Sequence, residues 1–241
     1  PKALDLGAST VVVDELVEGL NPSDPRVVLV PDVLIALQDL ARTHRRAWGK
    51  TVVGLTGSNG KTTAKELFAH VLSQQFDVLA TYGNLNNHIG VPLTLLKLQP
   101  EHEVAVIEMG ANHQGEIAEL ASIAEPNLGY VTNFGLAHLE GFGSEQGVAQ
   151  AKGELYAALP ENGTAILNGD QPWCELWRKI NTAGSVLTFG EGTGHNIWLD
   201  TSNTMPRIHT PVGAFDVRLT LPGKHNLINA AAATAAAIAL E

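Results

Sequence analysis

A glycine-rich segment with a lysine and two threonines constrains this chain more than any other feature. The segment is Thr56-Gly57-Ser58-Asn59-Gly60-Lys61-Thr62-Thr63. The apolar run 51–55 before it predicts a buried strand, and residues 64–74 after it predict a helix. A strand, a glycine-rich turn and a helix start form a phosphate cradle, because backbone N–H groups and the helix N-terminus point at the anion. Lys61 adds a positive charge, and the Thr62 hydroxyl can hold Mg²⁺.

The segment departs from the strict Walker pattern, which requires a glycine five residues before Gly60. Leu55 stands at that position, so the pattern here is the shorter G-x-x-G-K-T-T. Ordinary helix-start punctuation is the alternative, since glycine suits turns and threonine suits caps. Because a strand precedes the segment and Lys-Thr-Thr follows it, phosphate binding is the favoured interpretation. We predict that the nucleotide phosphates are bound by Gly57, Ser58, Asn59, Gly60, Lys61, Thr62 and Thr63.

Composition and charge argue against several classes of protein. The chain has 241 residues, of which 44% are hydrophobic, enough for a sizeable core in one large or two small domains. A formal net charge of −10 argues against a nucleic-acid partner, which would need a basic surface. No apolar run reaches the ~20 residues of a membrane span and no signal peptide opens the chain, so we expect no membrane insertion. With Cys174 as the only cysteine, a reducing and cytoplasmic setting is the simpler expectation.

Apolar segments alternate with helical patterns along most of the chain. This order predicts an α/β fold with a mostly parallel sheet flanked by helices, and the phosphate segment makes it a P-loop-type ATPase domain. Between about 196 and 221, segments with Gly and Pro turns, such as Phe215–Leu219, predict a small antiparallel part. The predicted strands are 4–13, 27–30, 52–56, 78–81, 104–109, 128–132, 164–168 and 185–189; the predicted helices are 33–46, 61–74, 91–98, 116–124, 145–159, 172–180 and 226–241.

Residues directly after the strands are candidates for a site, because open parallel sheets bind ligands at the carboxyl ends of their strands. Glu108 follows the strand that begins at Val104, and an acid beside a phosphate loop is typical of a Mg²⁺ ligand. A solvated strand-end acid is the alternative. His138 lies in a glycine-rich stretch after the strand 128–132, where a neutral imidazole suits either a metal contact or a loop hydrogen bond.

Two other segments carry amide side chains. Asn84, Asn86 and Asn87 lie in the loop after the strand 78–81 and suit either turns or the recognition of a polar substrate. Asn226 and Asn229 open the last helix, where an amide suits either an N-cap or a purine edge. Lys152, on the helix 145–159, is by pattern alone a solvent-facing lysine.

Three further stretches of the sequence are similar to a known enzyme family. They are residues 83–87 (GNLNN), 110–117 (GANHQGEI) and 137–144 (AHLEGFGS). With the phosphate segment, they resemble the Mur ligase family, the ATP-dependent amide-bond-forming enzymes of bacterial cell-wall synthesis. Within that family they are similar to the branch that adds D-alanyl-D-alanine to UDP-N-acetylmuramoyl-tripeptide. The resemblance covers nearly the whole chain.

The resemblance implies a domain organisation. Residues 1–48 are expected to be a remnant of the N-terminal UDP-substrate-binding domain with its linker helix. Residues 49–241 are expected to be the central ATP-binding domain, truncated at its C-terminal end. We therefore expect a middle piece of a longer enzyme, monomeric and inactive as a ligase by itself.

The resemblance also implies ATP and Mg²⁺ as cofactors and assigns a role to each candidate residue. Lys61, His138 and Lys152 are the expected catalytic residues. Thr62 and Glu108 are expected to bind one Mg²⁺, and His138 a second, together with Lys152 if that lysine is carbamylated. The adenine is expected to contact His225, Asn226 and Asn229, and the UDP-muramoyl-peptide to contact Asn84, Asn86 and Asn87.

The implied reaction has two steps. The terminal carboxylate of the tripeptide attacks the γ-phosphate of ATP, and the amine of D-Ala-D-Ala then displaces phosphate from the acyl phosphate. One alternative is another Mur-type or folylpolyglutamate-type amino-acid ligase, which shares the phosphate segment. A second alternative is a nucleotide-binding module without ligase activity, which would not need Glu108, His138 and Lys152 together.

Overall fold

A sheet of nine strands is the framework of the protein. The computed structural model describes residues 1–133, 135 and 142–241. His138 and most of the stretch 137–144 therefore lie outside the described residues. The strands are β1 (Val11–Val13), β2 (Val27–Leu29), β3 (Thr51–Thr56), β4 (Val78–Ala80), β5 (Val104–Glu108), β6 (Leu128–Val131), β7 (Thr164–Asn168), β8 (Ser185–Glu191), β9 (Ile197–Asp200), β10 (Arg207–Thr210) and β11 (Gly213–Asp216).

Helices alternate with these strands in chain order. They are α1 (Lys2–Asp5), α2 (Val33–Trp48), α3 (Lys61–Leu72), α4 (Gly90–Leu95), α5 (Glu116–Ala124), α6 (Glu145–Ala157), α7 (Cys174–Ile180) and α8 (Lys224–Ala239). Among the described residues, no helix is long and apolar enough to cross a membrane.

The order of the nine strands is β11-β10-β9-β8-β7-β6-β3-β5-β4, while β1 and β2 form a separate parallel pair. All neighbours from β4 to β9 are parallel, and β9-β10 and β10-β11 are antiparallel. The predicted fold class is therefore confirmed, including its antiparallel part. Strand β3 is third from the β4 edge of the sheet and lies between β5 and β6, so the carboxyl ends of two parallel neighbours flank the phosphate segment.

Two predicted strands differ from the observed elements. Residues 4–13 were expected to form one strand, but helix α1 occupies their first part and only β1 is extended. Gly7, with φ +95°, separates the two, because a left-handed residue interrupts a strand. The predicted strand Phe215–Leu219 lies too far along the chain. The observed strand is β11, Gly213–Asp216, which pairs with β10 in a hairpin.

Both faces of the sheet are covered by helices. On one face α3 and α8 pack over strand residues such as Val53 and Leu55, with Phe68 stacked on Tyr130 at 5.1 Å between ring centroids. The buried face of α8 consists mostly of alanines, whose small side chains let the helix lie close to α3 and the sheet. On the other face, α5 and α6 bury Ile117 and Leu155.

Helix α2 is fixed to the end of helix α5. Asp32 accepts hydrogen bonds from two backbone N–H groups at the start of α2, and Gly49 ends the helix with φ +71°. The buried Arg45 donates to the carbonyl oxygens of Ala124 and Glu125, both at 2.9 Å. Since the last carbonyls of a helix have no partner within the helix, Arg45 completes α5 while it docks α2.

Candidate functional site

The phosphate segment forms a tight turn between β3 and α3. Gly57 has φ +147° and Gly60 has φ +74°, conformations that favour glycine. Gly60 is the N-cap of α3, and it has no side chain with which to satisfy the first backbone N–H groups of the helix. The helix therefore starts with backbone donors directed at the turn, as an anion-binding site requires.

The turn is supported by the segment after strand β6. The backbone N–H of Ser58 donates to the carbonyl of Asn133 at 3.2 Å, and that of Asn59 donates to Asn133 Oδ1 at 2.9 Å. Thr132 Oγ1 donates to the carbonyl of Asn59 at 2.8 Å. Ser58 Oγ also bonds to the backbone of Gly135. Hydrogen bonds from the segment after β6 therefore hold the turn in place.

Substituting Gly57 tests the shape of this turn. A Cβ atom at Gly57 would collide with the Thr132 side chain, in a backbone conformation that L-residues rarely adopt. We expect G57A to lower ADP affinity about 5- to 150-fold, since strain of ~1–3 kcal/mol corresponds to that range. Titration calorimetry measures the change, with G194A as a matched control, because a Cβ there meets nothing within 4 Å. Wild-type affinity in G57A would contradict a phosphate-binding role for the turn.

Lys61 is the first residue of α3, and its ammonium group lies back over the turn. Nζ donates to the carbonyl of Gly57 at 3.0 Å and lies 3.4 Å from that of Ser58. Burial lowers the pKa of Lys61, while the negative charge of Glu108 opposes this shift. The ammonium is thus held among backbone groups at the place where a phosphate anion would meet it.

Glu108 ends strand β5 with a side chain that is only 1% exposed. Its Oε1 accepts a hydrogen bond from Asn86 Nδ2 at 2.8 Å and lies 3.5 Å from Thr62 Oγ1. Its backbone N–H donates to Thr81 Oγ1 at 3.0 Å. The other carboxylate oxygen, Oε2, is buried and has no hydrogen-bond partner.

This arrangement fits a divalent cation. A buried carboxylate oxygen without a partner is costly unless a cation or donor satisfies it. No group of three or more His, Cys, Asp or Glu side chains suited to a metal occurs among the described residues. A cation at Glu108 would therefore rely on the Thr62 hydroxyl, phosphate oxygens and water, which is the coordination that Mg²⁺ favours. His138, the predicted ligand of a second Mg²⁺, lies outside the described residues.

Lys152 is buried, contrary to the solvent-facing position that its helix pattern indicated. The side chain is 2% exposed, and Nζ donates to the carbonyl of Ala111 at 3.2 Å. Burial lowers the pKa of Lys152 to about 8; the charge of Lys61 also lowers it, and those of Glu116 and Glu154 oppose the shift. The helical pattern missed this burial because the loop after β5 covers this face of α6.

That loop is held from two points on α6. Lys152 bonds to Ala111, and the Glu154 carboxylate accepts from the backbone N–H groups of Gly115 at 2.7 Å and Ala118 at 3.0 Å. Glu154 thus caps helix α5 from another helix. The sequence contained one signal for this contact, since Gly115 precedes α5 and offers no capping side chain.

The three asparagines of the loop after β4 have different environments. Asn86 is engaged with Glu108, and its carbonyl accepts from the N–H of Gly110 at 2.8 Å. Asn87 Oδ1 accepts from the N–H groups of Ile89 and Gly90 and so caps α4. Asn84 is exposed. Asn87 therefore fits the turn-forming interpretation, and substrate binding by the three asparagines stays a prediction.

Two cavities flank the phosphate turn. The first, called here the Asn-loop cavity, has a volume of about 450 Å³ and includes Lys61, Asn86, Asn87, Ala111 and Glu116 in its walls. The second, called here the α8 cavity, has a volume of about 510 Å³. Its walls include Asn59, Gly60, Thr63, Asn133, His225 and Asn229.

The amides at the start of α8 are buried. Asn229 Oδ1 accepts from the Tyr130 hydroxyl at 2.8 Å. Asn226 Nδ2 donates to the carbonyl of Pro222 at 2.8 Å, and its Oδ1 is buried without a hydrogen-bond partner. His225 is exposed. Asn229 and His225 share the wall of the α8 cavity, whereas Asn226 is not part of that wall, and a shared adenine ligand stays a prediction.

The α8 cavity also contains residues that sequence reasoning did not select. They include Asn168 at the end of β7, Asp170 two residues later, Glu191 at the end of β8, and Lys224, which pairs with Glu191 at 2.6 Å. Their position after two parallel strands was the signal that could have identified them, because the carboxyl ends of those strands lie at the same edge as the phosphate turn.

Comparison with known proteins places this site in context. A family model described as the Mur ligase middle domain matches residues 55–237. The chain is 48% identical over 214 residues to the UDP-N-acetylmuramoyl-tripeptide–D-alanyl-D-alanine ligase of Escherichia coli (strain K12), covering 86% of this chain and 47% of that ligase.

Solved structures show the same similarity. MurF from Acinetobacter baumannii has a TM-score of 0.90 at 35% identity, over 99% of this chain and 53% of that one. A MurF ligase from Thermotoga maritima in complex with ADP has a TM-score of 0.86 at 30% identity, over 99% of this chain and 56% of that one. The chain thus spans about half the length of the relatives that it matches.

Proposed function

The chain belongs to the Mur ligase family, and from that premise we propose that it is the central, ATP-binding part of a ligase that adds D-alanyl-D-alanine to UDP-N-acetylmuramoyl-tripeptide. The observation that carries the proposal is the meeting of Lys61, Thr62 and the unpartnered oxygen of Glu108 at one sheet edge. This constellation lies between two cavities, as a transfer between two bound substrates requires.

In this proposal each cavity holds one reactant. The nucleoside of ATP occupies the α8 cavity against His225 and Asn229. Asn226, whose buried Oδ1 has no hydrogen-bond partner, contacts the same nucleoside. The phosphates extend over the turn from Gly57 to Thr63. The UDP-muramoyl-tripeptide presents its carboxylate in the Asn-loop cavity, where Asn86 and Asn87 form part of the wall and Asn84 contacts the substrate from outside it.

Mg²⁺ would be held by Thr62 and Glu108, and a second ion by His138 and a carbamylated Lys152. The bound ions neutralise charge on the transferring phosphoryl group. Lys61 donates hydrogen bonds to the phosphates and holds the turn through the carbonyl of Gly57. The carboxylate then attacks the γ-phosphorus, ADP leaves, and the D-Ala-D-Ala amine displaces phosphate from the acyl phosphate.

The proposal includes the domain division and the cellular setting. Residues 1–48 belong to the UDP-substrate-binding domain and its linker, and residues 49–241 to the ATP-binding domain. The enzyme is a cytoplasmic monomer that makes peptidoglycan precursors and so serves cell shape and division. It has no nucleic-acid partner, consistent with the net charge of −10.

The alternatives differ in the amine they accept. Another Mur-type or folylpolyglutamate-type ligase would use the same phosphate turn, and a nucleotide-binding module would bind ATP without consuming it. The 48% identity to a D-alanyl-D-alanine ligase supports the first proposal. The buried Glu108 and Lys152 support an enzyme over a binding module, because a module would not need both.

The test is phosphate release by the full-length protein that carries this chain. The assay contains Mg·ATP, UDP-N-acetylmuramoyl-tripeptide and one amine from a panel of D-Ala-D-Ala, single L- and D-amino acids, and glutamate. We expect release that depends on D-Ala-D-Ala and on the tripeptide. Release with another amine would assign the protein to another branch of the ligases, and binding of Mg·ATP with no release under any condition would favour the module.

A further inference from the structure

Four charged side chains are buried in the part of the chain that the structure describes: Arg45, Lys65, Glu108 and Lys152. Arg45 completes the end of α5, and Glu108 and Lys152 belong to the candidate site. Lys65 is the fourth, with 1% of its side chain exposed. The proposed reaction gives Lys65 no role.

The charge of Lys65 is poorly compensated for such a buried group. Its ion-pair partner Glu66, at 2.7 Å, is 67% exposed, so solvent screens the attraction. Taking an ammonium out of water is costly, and apolar replacements of buried ion pairs are often neutral or stabilising. Helix α3 already buries Ala64, Phe68 and Leu72 in the core. The fold therefore has no evident need for a charge at this position.

The contacts of Lys65 lead to the candidate metal carboxylate. Nζ donates to the carbonyl of Thr81 at 2.7 Å, and Thr81 directly follows β4. The hydroxyl of Thr81, itself 1% exposed, accepts from the backbone N–H of Glu108 at 3.0 Å. Two hydrogen bonds thus connect helix α3, the end of β4 and the end of β5.

The same segment supplies the second support of Glu108. Five residues after Thr81, Asn86 donates to Glu108 Oε1 at 2.8 Å, and its carbonyl holds the N–H of Gly110. The backbone and the carboxylate of Glu108 are therefore both held by residues 81–86. Lys65 fixes the first residue of that segment from the opposite side.

We propose that Lys65 is a positioning residue, which acts through Thr81 to hold Glu108 and the asparagine loop so that the free carboxylate oxygen meets a divalent cation. This inference rests on the proposed function, since it takes Glu108 as a Mg²⁺ ligand. In this proposal Lys65 contacts the carbonyl of Thr81 and not the nucleotide or the cation. Outer partners of metal ligands commonly tune metal affinity about 10- to 100-fold.

The test compares ADP binding to the full chain with Mg²⁺ and with EDTA, by titration calorimetry, together with thermal unfolding. The variants are K65M, T81V and the double variant, which remove the two hydrogen bonds separately and together. The controls are T81S, which keeps the hydroxyl, and E66Q, which removes the exposed charge but leaves the contact between Lys65 and Thr81.

We expect K65M and T81V to bind ADP in EDTA like wild type and to lose about 10- to 100-fold of the affinity that Mg²⁺ adds. The double variant should lose no more than either single one, because both interrupt one connection. In T81S and E66Q, Mg²⁺ should raise ADP affinity as much as in the wild type. K65M should unfold at or above the wild-type temperature.

The outcomes separate the two proposals. A wild-type chain whose ADP affinity does not depend on Mg²⁺ contradicts the proposed metal role of Glu108. If Mg²⁺ raises the ADP affinity of the wild type, and raises that of folded K65M by the same factor, the role of Lys65 alone is overturned. If K65M does not fold, T81V decides, since it exchanges one hydroxyl for a methyl group; an unchanged gain there overturns the connection through Thr81.

Discussion

Replacing Lys61 with alanine is expected to lower phosphate release by the full-length protein at least ~10³-fold. Phosphoryl transfer depends mainly on positioning and on neutralising charge, and a single positioned donor contributes about 10²–10³-fold in other sites. Lys61 also holds the phosphate turn, because its Nζ donates to the carbonyl of Gly57 at 3.0 Å. Its removal therefore takes away a positive charge and a support of the turn's conformation. Steady-state kinetics with D-Ala-D-Ala as the amine measures the loss.

Two further variants make this test specific. K61R keeps the charge but places a planar fork where a compact ammonium lies, so we expect it to restore little of the rate. K97A removes an exposed lysine from the segment after α4 and should leave the rate unchanged. A K61A enzyme within tenfold of wild type would contradict the phosphate-binding assignment of the turn.

The fold was predictable because its strands are buried on both faces. Strands such as β3 and β5 are continuous apolar runs, and their order with the intervening helices already specifies a parallel sheet. The N-terminal segment was not predictable in the same way. Residues 4–13 mix apolar residues without a clear period, and the left-handed Gly7 decides where the chain stops being helical.

The placement of the candidate site residues was predictable where the ends of the strands fix it, as at the turn and at Glu108. The burial of a side chain was less predictable where a loop or helix packs over it. Helical pattern places Lys152 in solvent, and only the packing of the loop after β5 against α6 buries it. Likewise, Asn86 belongs with Glu108 through a contact between residues 22 positions apart. Such contacts depend on tertiary structure, which local patterns do not contain.

The burial of Lys152 has a chemical consequence. With a pKa of about 8, Lys152 is a neutral amine in roughly one tenth of the molecules at pH 7. For a lysine with the ordinary pKa of 10.5, that fraction is less than ~0.1%. Only the neutral amine reacts with CO₂, and the resulting carbamate is a carboxylate-like ligand. The environment of Lys152 therefore favours the modification that the family resemblance implies.

Replacing Lys152 should consequently separate activity from stability. Because the pKa in the folded chain lies below its unfolded value of 10.5, protonated Lys152 opposes folding at pH 7, and this penalty disappears as the pH rises from 8 to 10.5. We expect K152M to unfold a few degrees above wild type at pH 7 and to lose at least ~10²-fold of phosphate release in the full-length protein.

Carbamylation itself gives the decisive readout for this prediction. Wild-type chain in ¹³C-bicarbonate should show a carbamate carbon resonance that K152M lacks, and activity should fall when CO₂ is removed and return when bicarbonate is added. The exposed variant K97M controls for surface carbamates, since an ordinary lysine is almost entirely protonated at pH 7. A wild-type rate that is independent of CO₂, with no carbamate signal, would show that Lys152 acts there as an amine, and its role would then be to hold the carbonyl of Ala111.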